Sequence, residues 1–136
     1  MGDYTMGLAE RRAVKAFQDN KLPALKQEID AAAGFEVNLE VNWDAIAKED
    51  QAHMYEEAFL KVYFKPLIEA LKAICIDDLG KEALRDGLKK VVITDNNKQE
   101  VTFQFGTLTI SFYSIYNLDG WADRKAEIQT VLEKGL

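Results

Sequence analysis

The clearest pattern along the chain is a strict alternation of apolar and polar residues over positions 35–43. Phe35, Val37, Leu39, Val41 and Trp43 are apolar, and every position between them is polar. Successive side chains of a strand point to opposite faces of its sheet, so this pattern predicts a nine-residue strand with one buried face.

Apolar residues recur at helical spacing before this strand. Residues 8–33 are rich in alanine, leucine, lysine and glutamate, and Gly34 is placed to end the helical region. Pro23 interrupts the region, because a proline inside a helix removes one hydrogen bond and clashes one turn back. The pattern therefore predicts two helices, or one kinked helix, that meet near 21–22.

A second helical region is predicted over 45–76, with Asp44 in position to cap it. Five apolar positions keep one helical phase across Pro66, which favours a bend over a break; they are Leu60, Tyr63, Leu67, Leu71 and Ile74. Asp77 or Asp78 is then expected to cap a short helix over 79–86 that Gly87 ends.

The remaining residues predict three strands and a closing helix. The first strand covers 89–94, and the turn 95–98 connects it to a second strand over 101–105. A loop of two or four residues at 105–106 would set Phe103 opposite Leu108 and Val101 opposite Ile110, which matches the apolar sides of an antiparallel hairpin. Phe105 is a poor residue for such a turn if it needs a positive φ. Asp119 is expected to cap a last helix over 120–134, whose predicted buried residues are Trp121, Ile128, Val131 and Leu132.

These elements predict one α+β domain over residues 1–136, in the order α-α-β-α-α-β-β-β-α. Its antiparallel sheet of about four strands would combine the early strand with a C-terminal three-stranded meander, packed on one face by helices. A chain of 136 residues is long enough to bury roughly 65–70% of the surface that it exposes when unfolded.

Charge and composition narrow the classes of partner. The net charge is −6 and the basic residues are spread among acidic ones, which argues against nucleic-acid binding. Cys75 is the single cysteine, so no disulfide framework forms within one chain. The amino-terminal segment lacks the features of a secretion signal and the sequence has no long apolar run, so we expect a cytoplasmic protein that spans no membrane.

A stretch without charge, residues 101–118, is the main candidate for function. The outward side of the predicted hairpin is neutral and rich in hydroxyl groups; it comprises Thr102, Gln104, Thr107, Thr109, Ser111 and Tyr113. Such a face can be a solvated sheet surface built from good strand formers. It can also be an interface with another protein or with a second copy in a homodimer, because interface cores are depleted of charge.

Candidate chemistry is sparse. His53, the only histidine, has Glu49 and Glu57 four residues away on either side and Asp50 nearby, which would suit a hydrolase or a metal-dependent enzyme if all lay on one helical stripe. A surface helix with ion pairs explains the same pattern without a ligand, and no second histidine is present. No glycine-rich phosphate loop or serine elbow occurs, so no cofactor, metal site or catalytic residue is predicted.

Several aromatic residues allow another interpretation. They would line a pocket for a small apolar or aromatic molecule if the end of the sheet meets the helices there; the candidates are Tyr63, Tyr113, Tyr116 and Trp121. Taken together, the residues favour a small acidic protein of adaptor or inhibitor type that binds another protein or itself. A domain that binds a small molecule in an aromatic pocket is the alternative. An enzyme based on His53 and nearby carboxylates is the least favoured hypothesis.

Overall fold

A computed structural model describes residues 6–136, and it contains helices packed against a four-stranded sheet. Residues 1–5, part of the segment considered for a secretion signal, lie outside the described residues. The helices are α1 (Leu8–Asn20), α2 (Leu22–Ala33), α3 (Trp43–Ile46), α4 (Tyr55–Phe59), α5 (Lys65–Ile74), α6 (Asp78–Gly87) and α7 (Trp121–Gly135). The strands are β1 (Leu39–Val41), β2 (Lys90–Thr94), β3 (Glu100–Gln104) and β4 (Thr107–Ser111).

The joint between the first two helices lies where Pro23 predicts it. α1 ends at Asn20 and α2 begins at Leu22, so the proline occupies the first turn of α2, where its missing N–H is not needed. Gly34 ends α2 with a φ of 85°, a left-handed conformation that glycine adopts without strain. Both predictions are confirmed.

The early strand is shorter than its alternation predicts. Only Leu39–Val41 pair as β1, whereas Val37 is buried with its N–H donating to the Asp30 carboxylate at 2.9 Å. At the other end Trp43 already belongs to α3, and the cap is Asn42, not the predicted Asp44. The alternation therefore reports which side chains are buried, and burial continues beyond the residues that pair.

The central helix begins ten residues later than predicted, because α3 ends at Ile46 and a loop with a positive φ at Asp50 follows. From Tyr55 to Ile74 the helix is continuous through a π-helical turn, Leu60–Phe64, and through Pro66, so the prediction of no break at this proline is confirmed. The wider turn shifts the phase of the helix. Leu60 is consequently exposed, while the other four predicted positions are buried.

The sheet has the order β1-β2-β4-β3 and is mixed. β1 and β4 both pair with β2 in parallel, and only β3 and β4 are antiparallel. The α+β class, the element order and the hairpin register are confirmed, with Val101 opposite Ile110 and Phe103 opposite Leu108. The antiparallel sheet and the meander are wrong, because β4 lies between β2 and β3.

The connections explain this arrangement. Helices separate β1 from β2, and such a crossover returns the chain parallel to the first strand. Residues 95–99, the crossover loop, carry the chain from the end of β2 past the end of β4, which leaves β3 at the edge.

The core lies between the inner face of the sheet and the helices, with α5 packed against α2 and α7. Val91, Ile93, Leu108 and Ile110 supply the fully buried inner face of β2 and β4. α7 begins without a side-chain cap, since Asp119 is exposed and lies 3.5 Å from Lys61 instead of capping the helix as predicted. Within residues 6–136, no helix has both the length and the apolar character needed to cross a membrane.

Candidate functional site

The outer face of the hairpin carries an uncharged patch, which we call the threonine face. It consists of Thr102, Gln104, Thr107 and Thr109, and the register sets Thr102 opposite Thr109 and Gln104 opposite Thr107. The three threonines are partly exposed and the glutamine is exposed. Charge borders this patch: Glu100 begins β3 on the same face, and Lys90 of β2, the partner of Thr107, lies 3.0 Å from Glu40 of β1.

Ser111 and Tyr113, the other two predicted interface residues, hold the crossover loop. The Ser111 hydroxyl is buried; it accepts a hydrogen bond from the Asn96 N–H at 3.0 Å and donates one to the Lys98 carbonyl at 2.8 Å. The Tyr113 N–H donates to the Gln99 side-chain oxygen at 2.6 Å. These contacts give Ser111 a structural role and leave its hydroxyl without a free donor for a partner protein.

Phe105 is the most exposed large apolar side chain described, at 101% relative exposure. Its φ is 53° and that of Gly106 is 80°, the combination of signs found in a type I′ hairpin turn. Asparagine and glycine suit the first of these positions, whereas a bulky L-residue is strained in a left-handed conformation. An unfavourable backbone conformation therefore presents an aromatic ring to solvent beside the threonine face.

The free edge of β3 is partly covered by α7. Partial burial raises the pKa of the Glu127 carboxyl, and a hydrogen bond that this carboxyl accepts from the Val101 N–H partly offsets the rise. The Phe103 side chain packs against α7 so closely that Gly135 has no room for a Cβ, while the Phe103 N–H stays open at the edge. Strand addition at this edge would have to displace Glu127, so the face and the turn are better placed than the edge to meet a partner.

The predicted pocket aromatics have different surroundings. Tyr63 is fully buried, its ring stacks on Phe112 at 6.3 Å between centroids, and its hydroxyl donates to the Phe112 carbonyl at 2.7 Å. Tyr113 and Tyr116 are exposed and form a perpendicular pair at 6.0 Å. The Lys65 ammonium lies 4.2 Å above the ring of Trp121. Tyr63 is therefore a core residue, and the other rings border the surface.

Arg124 is the residue that sequence reasoning missed in this region. It is only 5% exposed; its Nη2 donates to the Tyr116 carbonyl, and its guanidinium carbon lies 5.8 Å from the Phe112 ring. Burial lowers the pKa of Arg124, while its interaction with Tyr63 opposes that change. Nε and Nη1 have no hydrogen-bond partner among the described residues. Both of these partners belong to the charge-free stretch, a signal that could have pointed to Arg124.

Asp95 organises the carboxyl ends of β2 and β4. Its side chain is 1% exposed, lies 3.1 Å from the Lys48 ammonium and accepts the N–H groups of Asn97 and Ser114 at 3.0 and 3.1 Å. Ligands often bind at this end of parallel strands. Here the carboxylate is already bound by Lys48 and by two backbone N–H groups, so Asp95 stabilises the loops that follow β2 and β4.

The residues around His53 do not form the predicted helical stripe. His53 is exposed in a single 3₁₀ turn, Ala52–Met54, and Glu49 lies in the preceding loop. Within the part of the chain that is described, no group of three or more histidine, cysteine, aspartate or glutamate residues is placed to hold a metal ion. The single helical stripe predicted for Glu49, His53 and Glu57 is therefore not formed.

An α+β architecture does not by itself indicate a function, because one fold can carry many. Function must therefore be argued from the threonine face, Phe105 and the grooves of this molecule. Compared with protein-family models, curated proteins and solved structures, the chain matches none of them.

Proposed function

We propose that this protein is a cytoplasmic, non-catalytic module that binds another protein by inserting Phe105 into an apolar pocket of that partner. The observation that carries the proposal is the fully exposed ring at a positive φ. A left-handed conformation costs a non-glycine residue roughly 1–2 kcal/mol, and exposing the ring forgoes about 2 kcal/mol of burial. Burial of the ring in a partner would recover the free energy that its exposure to water costs.

The size of the surface supports a transient complex. β3 and β4 have five residues each, and such a pair covers roughly 170 Å² at ordinary strand spacing. Phe105 adds roughly 200 Å². The total of about 400 Å² per partner is half of the roughly 800 Å² that stable complexes bury on each side.

Charge favours a different protein over a second copy. Two molecules of this chain would each carry −6, so long-range repulsion opposes their association. A basic partner with an uncharged rim around its apolar pocket would be attracted, and the threonine face would meet that rim without burying an unpaired charge. The partner class is therefore a folded basic protein with a pocket for one aromatic ring.

The test is Phe105→Asn, which creates the Asn-Gly pair preferred in type I′ turns. We expect the variant to be more stable by about 1 kcal/mol in urea titrations, because the turn is relaxed. We also expect about thirtyfold weaker binding to a partner first recovered by affinity capture and then purified, as loss of an anchor worth about 2 kcal/mol implies.

Ile76→Asn is the matched control, because Ile76 is 83% exposed but lies outside the hairpin. It should leave binding unchanged, whereas Thr109→Lys and Thr102→Lys should weaken it by placing charges on the contact face. Equal affinities of wild type and Phe105→Asn would refute the proposal. A concentration-dependent dimer that Phe105→Asn dissociates would replace the basic partner with a second copy.

A further inference from the structure

A groove of about 520 Å³ lies where the C-terminal ends of α2 and α5 approach α6. Its floor is Ala31–Ala33, the last residues of α2, whose small side chains leave an apolar surface. This volume falls in the range of roughly 300–1,000 Å³ that is typical of small-molecule sites. None of its lining residues belongs to the threonine face or the hairpin turn.

The rim of the groove is positively charged in an otherwise acidic protein. Lys72, Lys81 and Arg85 line it, and Glu28 is the single carboxylate among its lining residues. The whole chain has 17 basic against 23 acidic residues, so this local excess of cations runs against the overall balance. The three cations give an anion in the groove a local attraction, which Glu69 and Asp86 beside two of them reduce.

These cations are available to a ligand. The Lys81 backbone N–H donates to the Asp77 carbonyl, but its ammonium group has no hydrogen bond or ion pair among residues 6–136. Lys72 lies 3.4 Å from Glu69 and Arg85 Nε lies 3.8 Å from Asp86, both in pairs whose cationic side chains are more than half exposed. Exposed pairs of this kind contribute little free energy, so a bound anion can compete for them.

Cys75 also lines the groove. Its Sγ lies 3.6 Å from the Ala33 carbonyl, and the residue is partly buried. Burial raises the pKa of this thiol, and the positive charge of Lys81 partly offsets the rise. The thiol is therefore mostly protonated at neutral pH, so it presents an apolar surface to the groove and reacts slowly as a nucleophile.

We propose that this groove binds a small organic anion whose charged end lies among Lys72, Lys81 and Arg85 and whose apolar body rests on Ala31–Ala33. The cations supply the attraction, and the alanines accept a short hydrocarbon chain or ring. The site is independent of the hairpin surface, so its failure and that of the protein-binding proposal are separate outcomes.

The single cysteine of the chain provides the measurement. The rate at which iodoacetamide, a neutral reagent, alkylates Cys75 is measured in the full-length protein with and without hexanoate. A bound ligand blocks the thiol, so the rate should fall about tenfold when hexanoate is present at ten times its dissociation constant. Hexanol, which lacks the charge, and inorganic phosphate, which lacks the apolar body, should each protect Cys75 much less.

Lys81→Glu should abolish the protection by hexanoate, while Lys15→Glu should retain it. Lys15 is a matched control because the charge change is the same and Lys15, which is paired with Asp19 on α1, does not line the groove. Each variant is compared with itself with and without ligand, since Lys81 also affects the reactivity of the thiol. Three outcomes would overturn the proposal: no protection by hexanoate, equal protection by hexanol or phosphate, or protection that persists in Lys81→Glu. In each case the cations would be explained as partners of the helix C-termini.

Discussion

Tyr63 shows how one buried side chain joins the central helix to the sheet. Its hydroxyl donates to the carbonyl of Phe112, 49 residues away in the chain, and no part of the residue is exposed. Burial is the main reason that the pKa of this hydroxyl is raised, and the nearby charge of Asp95 adds to the rise. The hydrogen bond and the packing both depend on the neutral form.

This gives a prediction for alkaline pH. In the unfolded chain a tyrosine loses its proton near pH 10, whereas Tyr63 keeps it in the fold. The neutral Tyr63 hydroxyl therefore makes its full contribution to the free energy of unfolding below about pH 10. Above that pH the contribution declines by up to about 1.4 kcal/mol per pH unit. Urea titrations between about pH 9 and 11 should show a steeper loss for wild type than for Tyr63→Phe.

At neutral pH, Tyr63→Phe should be less stable by about 1 kcal/mol, because the Phe112 carbonyl loses its donor. Tyr116→Phe is the control, since Tyr116 is 57% exposed. It should follow the wild-type pH dependence. Parallel curves for wild type and Tyr63→Phe would contradict the assignment of the alkaline loss to this hydroxyl.

At the scale of elements, the crossover loop is the least ordinary connection. The loop must pass the end of β4 to reach the sheet edge. There the Ser111 hydroxyl accepts a hydrogen bond from one backbone N–H of the loop and donates one to a backbone carbonyl of the loop. Buried backbone groups without partners are costly, so one hydroxyl group holds two loop residues in position.

Ser111→Ala removes this hydroxyl and leaves the Asn96 N–H and the Lys98 carbonyl without their partner. We expect the free energy of unfolding to fall by about 1–2 kcal/mol in urea titrations. Thr109→Val, which removes a hydroxyl from the partly exposed face of the same strand, should change it by no more than about 0.5 kcal/mol. A similar effect of the two substitutions would show that the crossover loop does not depend on Ser111.

At the scale of the whole molecule, the order of strands can be tested by amide hydrogen exchange. The two-residue turn makes Gln104 and Thr107 the closing hydrogen-bonded pair, so hydrogen bonding alternates along the hairpin. The N–H of Phe103 therefore points away from β4, and the N–H of Ile110 points toward β2.

We expect slow exchange at Ile110 and faster exchange at Phe103 when both amides are followed by NMR. In a β2-β3-β4 meander the order would be reversed, because β3 would be central and β4 would form the edge. Slow exchange at Phe103 combined with fast exchange at Ile110 would therefore refute the parallel pairing of β2 with β4.

The sequence determined the features that depend on neighbours in the chain. Helical periodicity, Pro23 and Gly34 place α1 and α2, and alternation with a short turn sets the register of the β3–β4 hairpin. It also identified the outward threonines, because the side-chain period of a strand is local. The helix through Pro66 followed from apolar spacing, although its π turn did not.

Only the tertiary structure decided which strands are neighbours, which residues of 35–43 pair and which charges are buried. Backbone hydrogen bonds are alike for every residue, so local alternation cannot distinguish a meander from an inserted β4. Arg124 has the sequence surroundings of a surface residue, yet it is buried in contact with Phe112 and Tyr116. These features come from contacts between distant segments, whose energies no local pattern contains.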